Sequence, residues 1–240
     1  MSRLDGSLSL RGLLSGDRRK PTLILLWAPL VLTTWRYYAA RVLFAGEPAS
    51  RPGFLGVPDH AAPLYSFLST FILLGLVSLA FVTLVFREPL AKSGLTLGDW
   101  RFGLKALAVM APVAVVLSAV AARIPAFQAQ YPLYRGAGAS VSTFLVHATG
   151  YLAYYVGFEI FFRGFVQFGL RESFGDWNAI LVQTALSCLV HIGKPSGEIY
   201  GAIVGGLVFG IVAFRSRSLL YVILAHWILG VSLDLFICLG

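Results

Sequence analysis

Gly157-Phe158-Glu159-Ile160-Phe161-Phe162-Arg163-Gly164-Phe165-Val166-Gln167-Phe168-Gly169 decides how the rest of the chain is read. The run is aromatic and aliphatic, yet it carries one carboxylate and one guanidinium. On a helix, Glu159 and Arg163 stand at i and i+4, one turn apart on the same face. Ionisable groups inside an apolar segment are costly, so they pair and tend to mark functional positions. A structural ion pair near a helix end explains these two residues equally well. Weight shifts toward function because His191 and His226 recur inside two later apolar segments.

The surroundings are those of a membrane protein. The chain has 240 residues, of which 58% are hydrophobic and 12% charged. Its mean hydropathy is +0.79. Soluble domains average roughly 45–50% apolar and about 25% charged residues. The composition therefore predicts an all-α, polytopic transmembrane helix bundle with no large soluble domain. Stretches near the roughly 20 residues that a spanning helix needs occur at about 22–44, 64–86, 104–122, 141–166, 178–192, 199–214 and 218–238. That makes about seven spans, with an eighth, re-entrant segment as the alternative; the fifth and sixth stretches are short. Organisation follows as a basic arm at 1–20, N-terminal helices at 21–140 and a core at 141–240. No cleaved signal peptide is recognisable after the arm, which Leu4, Leu8, Leu10, Leu13 and Leu14 could alternatively fold into a surface amphipathic helix.

The net charge of +8 reads as topological rather than nucleic-acid-binding, because Lys and Arg are retained on the cytoplasmic side. With the N-terminus inside and seven spans, twelve Lys and Arg fall inside and four outside, namely Arg51, Arg123, Arg135 and Lys194. An N-in, C-out chain in a lipid bilayer is expected. Cys188 and Cys238 both lie in apolar segments, so no disulfide framework is expected.

Within the C-terminal apolar segments the polar residues that could carry chemistry are His147, Glu159, Arg163, His191, His226 and Asp234. At 1.5 Å per residue, Glu159, His191 and His226 lie roughly 10, 20 and 12 Å from the inner ends of their spans. They are expected to share one layer and to converge on a water-accessible cavity open toward the cytoplasmic half. His147, about 18 Å along the helix from Glu159, is read as a buried hydrogen-bonding residue. Three chemistries suit the trio: activation of water with stabilisation of an oxyanion, a zinc site made by Glu159, His191 and His226, or a proton relay. HExxH is absent, which removes the usual helical zinc-protease signal. The run Gly201, Ala202, Gly205, Gly206, Gly210 is expected to let helices approach closely.

Glu159-x-x-x-Arg163-Gly164, a long helix ending in His191, a Gly-rich helix and Ala225-His226-Trp227 together resemble the CPBP family. This is the CAAX-protease and bacteriocin-processing (Abi) family, whose eukaryotic branch holds the Ras-converting CAAX endopeptidases. The resemblance covers about residues 145–238. It implies a glutamic-type intramembrane endopeptidase acting on a peptide or a protein C-terminal segment. A Glu and a His would activate water while a second His and an Asn stabilise the oxyanion. No cofactor is implied. Bacterial relatives place such proteins in the plasma (inner) membrane. Carried over, Glu159, His191 and His226 would be catalytic, with Arg163 supporting.

The chain departs from the pattern at three places. The first of two usual glutamates corresponds to Phe158, a frequent Phe to Ser187, and a frequent Asn or Asp to Gly230. Asp234, two turns past His226, is our own candidate to support it. Glu198, in the loop between the fifth and sixth stretches, is a remote substitute for the missing carboxylate, and Glu172 falls beyond the inner end of its helix. The alternative function is a non-proteolytic relative that binds a peptide or confers immunity.

Overall fold

The computed structural model describes residues 10–40 and 61–240. Most of the basic arm, the outer end of the first expected span, Arg41 and Arg51 lie outside those residues. Among the described residues there is helix and no strand.

Seven long helices follow the expected order. Helix α1 spans Arg19–Thr34 and continues in a wide π-helical turn, Trp35–Ala39. Helix α2 covers Ala62–Phe86 and stops at Arg87, whose left-handed backbone precedes Pro89. Helix α3, Trp100–Ala121, starts because the Asp99 side chain accepts the Phe102 N–H, which satisfies an otherwise orphaned donor. Ser140 and Thr143 form a capping box that opens α4, Val141–Glu159. Helix α5 covers Phe168–Val190, α6 Ser196–Ser216 and α7 Leu220–Leu239. Four of the seven, α2, α3, α6 and α7, are long and apolar enough to cross a membrane. The chain is thus an integral membrane protein. Helix α3 leaves Leu104, Val109, Val113, Val116, Leu117 and Val120 exposed, a surface suited to lipid rather than water.

The fourth segment does not end where hydropathy says it should. From Glu159 the chain passes through a wide turn, Ile160–Gln167, directly into α5. The break comes only at Gly175, whose φ of 74° and ψ of 167° are available essentially to glycine alone. The polar residues Arg171, Glu172 and Ser173 are therefore still helical, and the turn lies some eight residues later than expected. Glu159 and His191 each stand sixteen positions from Gly175 along opposite arms of this hairpin. That is roughly 24 Å on either side, so both are deeper than the sequence suggested.

Polar contacts fix which segments share an end. Lys20 Nζ donates to Glu88 Oε2 at 2.8 Å, the Asp99 N–H to the Ser216 carbonyl at 2.7 Å, and the Leu219 N–H to the Gly94 carbonyl at 2.9 Å. Lys92 lies 3.9 Å from Glu172. Start of α1, the α2–α3 connection, the Gly175 turn and the α6–α7 turn thus gather at one end with most of the Lys and Arg. The loops around Tyr131 and Lys194 lie at the other.

Packing centres on the end of α4 and the wide turn after it, where the residues from Gly157 through Gln167 are all buried. A Cβ on Gly157 would come 2.6 Å from the Phe71 Cα, so α2 and α4 touch backbone to backbone. The small-residue run on α6 behaves as expected only in part. Gly206 and Gly210 pack against Thr184 and Ile180, whereas Gly201 and Gly205 face open space. Two buried amides use the packed pair: Gln183 Nε2 donates to the Gly206 carbonyl at 2.8 Å and Gln167 Nε2 to the Gly210 carbonyl at 2.9 Å.

Candidate active site

Helix α4 brings Glu159 to the centre of the bundle with its side chain fully enclosed. Arg163 Nη1, one turn on, donates to Glu159 Oε1 at 3.1 Å. His226, two turns into α7, places Nδ1 2.7 Å from the same oxygen. An ionised carboxylate only accepts, so Nδ1 carries the proton and Nε2 keeps the lone pair. The His226 side chain is 16% exposed, which leaves the imidazole reachable while its carboxylate is sealed. Rings of Tyr155 at 4.4 Å and Phe209 at 5.4 Å flank it.

His191 caps the C-terminus of α5. Its Nδ1 lies 2.6 Å from the Ser187 carbonyl, and a carbonyl also only accepts, so this ring too presents Nε2 as an acceptor when neutral. That nitrogen faces Glu198 Oε1 at 3.7 Å. It does not face Glu159. The Phe158 ring packs against both imidazoles in T-shaped contacts, with centroids 6.0 Å from His191 and 5.6 Å from His226. The contacts form two pairs, Glu159 with His226 and His191 with Glu198, and the Phe158 ring touches both imidazoles. The zinc alternative needed Glu159, His191 and His226 in one ligand set. Among the described residues no group of three His, Cys, Asp or Glu side chains is placed to hold a metal.

Two further expectations need correction. Asp234 does not support His226: its Oδ2 lies 2.6 Å from His147 Nε2 in a wholly enclosed pair. The two-turn offset from His226 is right for a shared face, but α7 rotates Asp234 toward the start of α4. Nor do His191 and Glu198 lie toward the basic end. His191 and Glu198 flank the short connection at the opposite end, because the α4–α5 hairpin is longer than hydropathy suggests.

Tyr155, Tyr131, Lys194 and Glu198 are the residues that sequence reasoning missed or set aside. A Cβ at Gly230 would collide with the Tyr155 hydroxyl. That hydroxyl therefore occupies the space of the side chain often found four residues after the second histidine. The i, i+4 spacing of Lys194 and Glu198 was a legible signal; Tyr131, some sixty residues away, gave none.

Residues 140–231 match the family described as Type II CAAX prenyl endopeptidase Rce1-like. The matched segment runs from the cap of α4 into α7 and contains Glu159, Arg163, His191, Glu198 and His226. Over it, the resemblance to the CPBP family holds. No curated protein and no solved structure gives a significant match.

Proposed function

We propose that the chain is an intramembrane endopeptidase that cleaves a peptide or a protein C-terminal segment by histidine-assisted attack of water. The observation that carries the reading is the 2.7 Å contact between His226 Nδ1 and Glu159 inside the segment matched by a CAAX-endopeptidase family. Glu159 is already held by Arg163 and His226, which suits it to orienting an imidazole and stabilising its cationic form rather than taking a proton from water itself. His226, as the imidazolium that Glu159 stabilises, donates its Nε2–H to the scissile carbonyl, and the Tyr155 hydroxyl is a second donor to the developing oxyanion. His191, which also packs against Phe158, takes the attacking side on this reading. The basic end of the bundle lies in the cytoplasm on this reading, so reporter fusions at the two termini should report opposite sides.

The test is hydrolysis by the full chain in bicelles, using a library of C-terminal peptides with and without a prenylated cysteine. Measured per folded molecule, Glu159→Gln should lower the rate by about 10²–10⁴, and His226→Ala by about 10²–10³. Chelators should leave the rate alone. One observation favours the second reading, a non-proteolytic peptide-binding or immunity protein: Phe158 sets an apolar ring against both imidazoles. Peptide binding by the wild type, unaltered in Glu159→Gln and never followed by cleavage, would make that reading the better one.

A further inference from the structure

Glu198 sits in the first turn of α6, immediately after Pro195, and is locked from two directions. Lys194 Nζ donates to its Oε1 at 2.7 Å, and the Tyr131 hydroxyl to its Oε2 at 2.7 Å. Lys194 is itself nearly buried and also donates to the Tyr131 oxygen at 3.1 Å. A clamp between the α6 start and the Tyr131 loop is complete with those three side chains. It gives no reason for His191 to aim Nε2 at the same carboxylate.

That arrangement has a chemical consequence. With Nδ1 committed to the Ser187 carbonyl, Nε2 of neutral His191 is an acceptor, and so is Glu198 Oε1. Two acceptors facing each other at 3.7 Å repel unless a donor lies between them. The separation is too long for a direct hydrogen bond. It suits one water donating to both, since bonds of about 2.8 Å then meet at about 80°. Both side chains are partly reachable, at 11% and 19% exposure, unlike the sealed Glu159.

We infer that Glu198, together with His191, holds and activates the hydrolytic water of this chain, supplying the carboxylate that position 158 lacks. The inference rests on the endopeptidase reading. Water gives its proton to His191 Nε2 while its oxygen bonds to the peptide carbonyl carbon. Glu198 stabilises the imidazolium. The same proton then passes to the amine nitrogen as the C–N bond breaks, leaving an acid, an amine and both side chains as they began. Lys194 already occupies Glu198 Oε1, which makes the imidazole the better proton acceptor of the two. Lys194 and Tyr131 are positioning residues.

Three variants of the full chain, compared with the wild type in bicelles, test this with the same peptide library. Glu198→Gln should lower kcat about 10²-fold with little change in KM. Adding Phe158→Glu to it should recover at least tenfold of the loss, because a carboxylate there begins beside both imidazoles. Lys194→Met loosens the clamp but leaves the carboxylate, and should keep more of the rate than Glu198→Gln does; this comparison stands even if the double variant fails to fold. Full kcat in Glu198→Gln overturns the inference and leaves the endopeptidase reading intact. So does an equal loss in Lys194→Met and Glu198→Gln together with a matching fall in Tm. A wild type that binds library peptides and cleaves none overturns both.

Discussion

Helices α4 and α7 are joined by two histidine–carboxylate pairs of nearly equal length, and the pairs have different characters. Glu159 and His226 meet at 2.7 Å, and His147 and Asp234 at 2.6 Å. The first carboxylate is shared with Arg163, and its histidine reaches a partly open space. The second pair is enclosed on all sides, with Phe67, Phe144 and Tyr151 rings around His147. Distance alone would rank the pairs equal. Their neighbours separate them: Arg163 also bonds the Glu159 carboxylate, and the His226 side chain is partly exposed where that of His147 is not. On the endopeptidase reading proposed above, the same contact is a reacting unit in one place and an internal fastening in the other.

The largest effect expected from breaking either pair belongs to the first. Arg163→Ala leaves Glu159 enclosed without its cation, and removing one partner of a buried pair costs about 3–5 kcal/mol. Thermal unfolding in detergent and the yield of folded protein in membranes should both fall sharply; a normal Tm would show that Glu159 does not depend on Arg163. For the sealed pair the effect is smaller. Asp234→Ala strands the His147 ring, at about 1–3 kcal/mol for a buried polar group left unsatisfied, while peptide turnover per folded molecule stays at the wild-type level. A selective loss of turnover would erase the distinction drawn between the pairs.

A third ion pair, partly exposed at the basic end, supplies the low extreme. Burial alone would raise the Glu88 carboxyl, but the Lys20 and Lys92 ammonium groups outweigh it and hold the group below its ordinary value of 4.5. The stability this adds is complete above that value and is lost as pH falls through the lower, folded-state value. Tm of wild type and Glu88→Gln should therefore differ slightly at neutral pH and converge in acid, with added salt shrinking the gap. A gap that persists at low pH would mean packing rather than charge.

Much of this was legible in the sequence, and the remainder was hidden for physical reasons. Apolar runs gave seven helices in order, because a bilayer-length segment announces itself by composition. The Glu159–Arg163 pair was readable because its spacing is one helical turn. What spacing cannot show is rotation and long-range partnering. Asp234 was assigned to His226 from a shared face, yet the bundle turns it to His147, 87 residues away. His191 was grouped with Glu159 by depth, but depth depended on where the fourth helix ends, and charged Arg171 and Glu172 looked like an end when Gly175 is the true one. Glu198 reads in sequence as a loop residue, although the helix starts just ahead of it.

The wide turn at Ile160–Gln167, between Glu159 and the Gly175 bend, has a consequence for alignment. A π-wound turn closes its hydrogen bonds over five residues instead of four. Loss of one residue there could be absorbed by tightening to ordinary α winding, with both flanks kept in phase. Loss of one residue within Val141–Glu159 would instead swing everything beyond it by about 100° and carry Glu159 off His226. Insertions and deletions between related chains should therefore collect in 164–167, past the fixed Glu159–Arg163 spacing, and a search pattern with rigid spacing across those four residues would pass over true relatives.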